Sequence, residues 1–390
     1  MRILKKIETE NGHHAYRLLQ CLTVAIRPLL VEELAEILAL DFDNTKDGVP
    51  QLQEDWRWKD QQEAVLSTCS SLIVVVDNGY ECVVQFSHFS VKEFLTSDRL
   101  ATSSEEVSNF YILPEPAHTV IVKACLGTLL LSNNGAGDAK ATSSSLAEYA
   151  AEHWVGHAQY EKVSTHIEDG MQRLFDPEKP YFDAWLKLYD IDEGWKTFAG
   201  RGDECRGSRL YYASLCGIRN LVAHFVAEHP EHVNAILGRC LSPLVAALYK
   251  RHFDIAQLLY QRGADLYITD YRNRTLLHAA SVDGSVDIAQ WLFAHGVDAM
   301  LQQEDCTTPL HLAAQNGQFE FVRMLLGHGI IVNAKNRDNR TSLHLASEAG
   351  QVEIVRLLLQ HGADIGARDL YNGTPLHLAS RCVSHKLRNS

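Results

Sequence analysis

At 390 residues the chain has room for two or three domains of about 150 residues each, and its 46% apolar and 22% charged content excludes wholesale disorder. The net charge of −13 is unevenly placed: residues 1–204 hold 33 acidic and 18 basic side chains, residues 205–390 hold 16 and 18, so neither half suits a phosphate backbone. Nine scattered cysteines without a C-x-x-C pair, no secretory signal, and a longest apolar run (Val120 to Leu131) interrupted by Lys123 point to a reducing compartment, cytoplasmic or nuclear, and away from a membrane.

Residues 14–40 carry two helical patterns split near Arg27-Pro28, and a polar loop, Asp41 to Asp60, leads to a third, DQQEAVLSTCSS. Two β-branched runs, Leu72 to Val76 and Glu81 to Phe86, are joined through Asp77-Asn78-Gly79-Tyr80, where Asn-Gly signals a hairpin. Three helices followed by a hairpin is the layout of a winged helix. A further helix is predicted over Ser90 to Leu100, with Ser90 as its cap and Glu93 three positions on. Pro114-Glu-Pro116 breaks the chain, and helical patterns follow over Ala117 to Leu131, LAEYAAEHWVGHAQY and FDAWLKLYDIDEGW, with a Gly/Asn/Ser-rich loop over Ser132 to Ser145. Trp154, Trp185 and Trp195 are expected in the core.

Further on, Leu210, Leu244, Leu277, Leu310, Leu343 and Leu376 recur at intervals of 34, 33, 33, 33 and 33 residues. Around four of them the register reads TLLHAA, TPLHLAA, TSLHLAS and TPLHLAS, with glycines at Gly217, Gly284, Gly317 and Gly350 and again at Gly263, Gly296, Gly329 and Gly362. This resembles the ankyrin repeat over about 205–382. Physically, Thr caps a helix, Pro in the first turn loses only a donor without a partner, and glycine relieves a left-handed helix end. Each unit is two helices and a returning loop that must stack on its neighbours. The pattern calls for a glycine at Val383, so the last unit is expected to be incomplete and to fray from about Asn372.

The segments LLQCLTVAIRPLLVEELAEILAL, EAVLSTCSSLIVVV and above all FSHFSVKEFL (Phe86 to Leu95) are similar to the winged helix that follows the NACHT nucleotide-binding domain in fungal NLR-like proteins of the STAND class. The resemblance implies a winged helix that packs on an NTPase module and transmits its state, with that NTPase upstream. It gives a mainly α chain: a winged-helix domain (1–112), a helical connector (113–204) and about five and a half ankyrin repeats forming an α-solenoid (205–390).

No catalytic chemistry is legible. No G-x-x-x-x-G-K-[ST] string occurs, and Gly135-Ala-Gly137-Asp-Ala-Lys140 has the wrong spacing and follows no strand. No G-x-S-x-G elbow and no cysteine-protease signature are present. The repeated histidines (His278, His311, His344, His377 and His295, His328, His361) stand one repeat apart rather than converging on a metal, and are expected to bond loop backbone. His153 and His157 share a helical face without the Glu of HExxH and are read as incidentally exposed. No cofactor or metal is expected. The Asn-x-Thr strings at Asn273, Asn339 and Asn372 are turn chemistry, and Ser208 and Ser242 are caps. DNA binding is disfavoured, because the third helix carries Asp60 and Glu63 with no Lys or Arg, and the wing tip is acidic.

Binding is assigned to a protein partner on the concave face of the repeats, with a NACHT NTPase as a second partner through the winged helix, and without nucleic acid or membrane. By the ankyrin resemblance the contact positions are Tyr271, Arg272 and Arg274 in one unit, then Glu304, Asp305, Gln315 and Asn316 in the next. Arg337, Asp338, Arg340 and Glu348 follow, and last Leu370 and Tyr371. The chain is thus expected to be an interaction and sensor module without catalysis of its own; the alternatives are a regulatory subunit for a separately encoded NACHT NTPase and a winged-helix DNA-binding cofactor.

Overall fold

The computed structural model describes residues 4, 7, 12–46, 48–57, 60–69, 71–131, 144–192, 207–236, 242–270 and 272–381. The chain divides into two compact units, Met1–Gly194 and Trp195–Ser390.

In the first unit, α1 (Gly12–Val24) is followed by the two-residue strand β1 (Leu29–Leu30) and α2 (Val31–Leu38). Glu33 in the first turn of α2 is buried, accepts the Leu30 N–H at 2.8 Å and is held by Arg27 Nη1 at 2.9 Å. After α3 (Gln61–Cys69) come β4 (Ile73–Asp77) and β5 (Cys82–Phe86), numbered after a hairpin described below. The sheet order is β1-β5-β4, antiparallel, with Leu29 opposite Val84 and Val75 opposite Val84 on its other side. Three helices, a short strand and a two-stranded wing make a winged helix, with Leu18, Leu19, Leu34, Ile37 and Val65 in its core. At the wing tip Gly79 turns left-handed (φ +85°), and Asn78 Oδ1 accepts the Tyr80 and Glu81 amides at 3.0 and 2.9 Å.

Two expectations change here. The stretch expected as a loop over 41–60 contains a hairpin, β2 (Leu40–Lys46) and β3 (Val49–Leu52), turning at Gly48 with φ +72°. The helix expected over Ser90 to Leu100 is two pieces, α4 (Phe89–Leu95) and α5 (Asp98–Ala101). Its cap is His88, whose Nδ1 accepts the Ser90 amide at 3.2 Å. The Ser97 hydroxyl turns back to the Phe94 carbonyl at 2.8 Å, a local bond that competes with helix continuation.

The helices α6 (Glu105–Ser108), α7 (Pro114–Leu131), α8 (Ala147–Ala158), α9 (Val163–His166), α10 (Glu168–Leu174) and α11 (Tyr181–Leu188) complete this unit. Pro114 and Pro116 start α7 rather than break the chain, since first-turn amides have no helical partner. α7 packs on α1, β3, α8 and α10. It approaches so closely that a Cβ on Gly127 would lie 2.9 Å from the Pro50 carbonyl oxygen. Trp154 and Trp185 are buried as expected, edge to face at 5.4 Å, and the Trp185 indole donates to the Ala151 carbonyl at 2.9 Å; Trp195 lies outside the described residues.

The second unit is a ladder of helix pairs: α12 (Arg209–Leu215) with α13 (Arg219–Glu228), α14 (Pro243–Tyr249) with α15 (Phe253–Gln261), and α16 (Leu276–Asp283) with α17 (Val286–Ala294). Then come α18 (Pro309–Gln315) with α19 (Phe319–Gly327), and α20 (Ser342–Ala349) with α21 (Val352–Gln360). Residues 375–381 begin a further helix. First helices stack on first helices (α12 on α14, α16 on α18, α18 on α20) and second on second (α13 on α15, α17 on α19, α19 on α21). Ser208 and Ser242 cap α12 and α14, accepting the Tyr211 and Val245 amides. No helix among the described residues is long and apolar enough to cross a membrane.

Candidate protein-binding surface

One turn is built four times between the helix pairs. Asp270 and Arg274 close it by an N–H to carbonyl bond at 3.0 Å, as do Gln303 with Thr307, Asn336 with Arg340, and Asp369 with Gly373. Inside it, Asp270 Oδ1 accepts the Arg272 and Arg274 amides at 2.9 and 2.8 Å. Asn336 Oδ1 does the same for Asp338 and Arg340, and Asp369 Oδ1 for Tyr371 and Gly373. Gln303 occupies the equivalent place in the second turn, where Asp305 instead accepts the Thr307 amide at 3.0 Å. These inward Asp and Asn residues were not singled out in the sequence, although they recur at the repeat spacing three residues before each Asn of the Asn-x-Thr strings.

The tips are also bonded to one another. The Arg337 amide donates to the Asp305 carbonyl at 2.7 Å and its guanidinium to the Glu304 carbonyl at 2.7 Å, while the Leu370 amide donates to the Asp338 carbonyl at 2.9 Å. The repeat histidines extend this clasp. The Thr308 amide donates to His311 Nδ1, which therefore carries a lone pair, and His311 Nε2–H donates to the Arg340 carbonyl at 3.0 Å in the next unit. His344 repeats both bonds, from the Thr341 amide and to the Gly373 carbonyl. Burial holds the His278, His311 and His344 pKa values below the ordinary range, His278 at about 4. His295, His328 and His361 each bond the helix carbonyl four residues back through Nδ1.

The expected contact residues sort into two kinds. Arg272, Glu304, Asp305, Arg337 and Asp338 are exposed on the bonded tips, and Gln315 and Asn316 are exposed at the end of α18. Leu370 and Tyr371 are 58% and 84% exposed, a contiguous apolar pair on a hydrogen-bonded turn. Arg274 and Arg340 are drawn inward: Arg274 Nε reaches Asp270 Oδ2 at 2.6 Å, and Arg340 lies between Glu348 Oε2 at 3.0 Å and Asp369 Oδ2 at 3.7 Å. Glu348 is thereby half-buried. Tyr271 and the Gly135 to Lys140 segment lie outside the described residues.

On the first unit, α3 exposes Gln61, Gln62, Glu63 and Ser67, and the wing exposes Val74, Val76 and Tyr80, with Phe89 of α4 exposed nearby in sequence. His157 is fully buried, which corrects the reading of incidental exposure: Tyr149 Oη lies 2.9 Å from its Nε2 and His118 Nδ1 lies 2.8 Å from its Nδ1. With the Ile26 N–H donating to Tyr149 Oη at 3.3 Å, the chain of bonds is satisfied by neutral rings, and burial pushes the His157 pKa down to about 3. His153 is half-buried with its ring 4.7 Å from Tyr149.

Comparison with known proteins agrees with both units. The family described as "Ankyrin repeats (3 copies)" matches residues 210–303 and 277–369. "GPI inositol-deacylase, winged helix domain", a NACHT-associated type of domain, matches residues 4–109. The chain is similar to "Azaphilone pigments biosynthesis cluster protein L" of Monascus ruber, 30% identical over 284 residues that cover 68% of this chain. The chain spans 58% of that relative's length. Ankyrin repeats imply protein–protein interaction.

Proposed function

We propose that this chain is the recognition and scaffold part of an NLR-like signalling protein, without catalysis of its own, acting in the cytoplasm. The ladder would hold a protein partner along its turn tips, and the winged helix would dock on a NACHT nucleotide-binding module. The observation that carries the first claim is that the exposed residues Arg272, Arg337, Leu370 and Tyr371 stand on turns whose backbones are bonded internally and to the adjoining turn. Binding there costs little ordering of the receptor, and Tyr and Arg are the side chains that anchor interfaces. The exposed apolar wing residues and the acidic, Lys/Arg-free α3 support a winged helix that packs on protein.

The test compares affinity capture by the full chain with capture by Leu370→Ala/Tyr371→Ala, which removes exposed groups and leaves Arg274, Arg337 and Arg340 in place. Loss of the same captured proteins in the variant, with circular dichroism unchanged, is the expected result. An identical set bound equally by both would remove the turn tips as the recognition surface.

A further inference from the structure

Between the first and second helix pairs the chain passes through a 3-10 helix, Pro230–Asn234, with His229 at its cap and Glu231 and His232 in its first turn. We propose that His229, Glu231 and His232 form a site for a single divalent transition cation of the zinc class. In a 3-10 helix, side chains three residues apart eclipse one another, so His229 at the cap and His232 stand on one face with ring centroids 5.2 Å apart. Glu231 Oε1 lies between them, 3.3 Å from His229 Nδ1 and 4.0 Å from His232 Nε2. One ligand atom from each of the three residues falls within 4.8 Å of the others.

Two donors bound about 2.0–2.1 Å from a tetrahedral ion are about 3.4 Å apart. The His229–Glu231 edge already has that length, and the other edges need closing by small rotations of the exposed Glu231 and the half-buried His232 side chains. Two imidazoles and one carboxylate select zinc, copper or nickel over calcium or magnesium, which want oxygen donors. Three protein ligands leave the fourth position to water.

The backbone beneath the site is fixed at both ends. The His229 amide donates to the Phe225 carbonyl at 2.8 Å, Pro230 restrains the first turn, and Val233 is buried. Asn234 then bolts the segment to the following repeat, donating to the Gly263 carbonyl at 2.9 Å and accepting the Asp265 amide at 2.8 Å. An ion here would therefore brace the join between the first two units of the ladder.

The experiment titrates the full, metal-free chain with Zn2+ by calorimetry and with Co2+ by visible absorption. Imidazole is a general ligand for zinc, so the comparison is with His229→Ala/His232→Ala, with Glu231→Gln, and with the control His166→Ala. The site predicts that the double variant weakens the tightest Zn2+ binding by more than the roughly 10- to 100-fold typical of losing a merely supporting group, and abolishes the four-coordinate Co2+ spectrum. The control should match the wild type, and Zn2+ should raise the thermal midpoint of the wild type more than that of the double variant. Glu231 is exposed and both histidines are half-buried on the surface of the segment, so circular dichroism of the variants should be unchanged. Equal Zn2+ affinity and equal Co2+ spectra in wild type and double variant would overturn the site and leave a surface His–Glu hydrogen bond in its place.

Discussion

Cys306 stands where three of the four turns place asparagine. Backbone φ is +59° at Asn273, +57° at Asn339 and +62° at Asn372, and it is +61° at Cys306. A left-handed residue with an ordinary side chain costs roughly 1–2 kcal/mol, a cost that asparagine largely avoids. Cys306→Asn should therefore raise stability by about 1 kcal/mol, read as a higher urea midpoint with an unchanged slope; a midpoint that fell would show that the half-buried thiol makes contacts worth more than the strain. The repeat histidines set a pH dependence of known sign. An unfolded histidine takes up a proton near pH 6.5, whereas burial keeps His278 neutral until about pH 4, with His311 and His344 shifted the same way. Between those values the unfolded state binds more protons, so the contribution of these histidines is flat above about pH 6.5 and falls as pH drops through the window. For His278 alone the loss is on the order of 3 kcal/mol at the acid end. A urea midpoint that is the same at the two ends of that window would contradict it.

At the scale of one helix, burial is a property of the neighbour as much as of the residue. Leu277, Leu310 and Leu343 occupy one motif position and are at most 2% exposed, while Leu376, at the same position in the last described unit, is 74% exposed. Leu343→Ala is expected to destabilise the ladder by about 2–5 kcal/mol, and Leu376→Ala by less than about 0.5 kcal/mol; thermal unfolding of the two variants side by side measures the contrast. The same distinction explains what could be read from the sequence. Caps, paired helices and the wing were legible, because Thr308, Pro309 and Asn78-Gly79 act on backbone within a few residues of themselves. The β2–β3 hairpin was not, since Asp41, Asp43 and Asn44 obscure strand alternation and its contacts come from Gly127 and Gly170, far along the chain. Nor was the burial of His157, whose partners His118 and Tyr149 lie on two helices. Among the expected contact residues, exposure followed from position in the repeat, but the inward pull on Arg274 and Arg340 depended on Asp270, Glu348 and Asp369.

Over the whole molecule the charge is segregated, and this decides what a winged helix can do here. The first half carries 33 acidic against 18 basic residues. The helix that would enter a DNA groove, α3, exposes Glu63 and the glutamines beside it, and the wing ends in Asp77 and Glu81. DNA affinity rests on Lys and Arg displacing counterions from phosphates, and neither surface offers them. The full chain is therefore expected to leave the mobility of duplex DNA unchanged even at low salt, where electrostatic binding is strongest. A retarded band that weakens steeply as salt is added would reveal a phosphate-binding surface elsewhere on the chain and would revive a nucleic-acid role. Replacing Gln61 and Glu63 with lysine supplies the positive control: if the winged-helix geometry is otherwise competent, salt-sensitive retardation should appear in that variant, which would place the exclusion in surface charge and not in the fold.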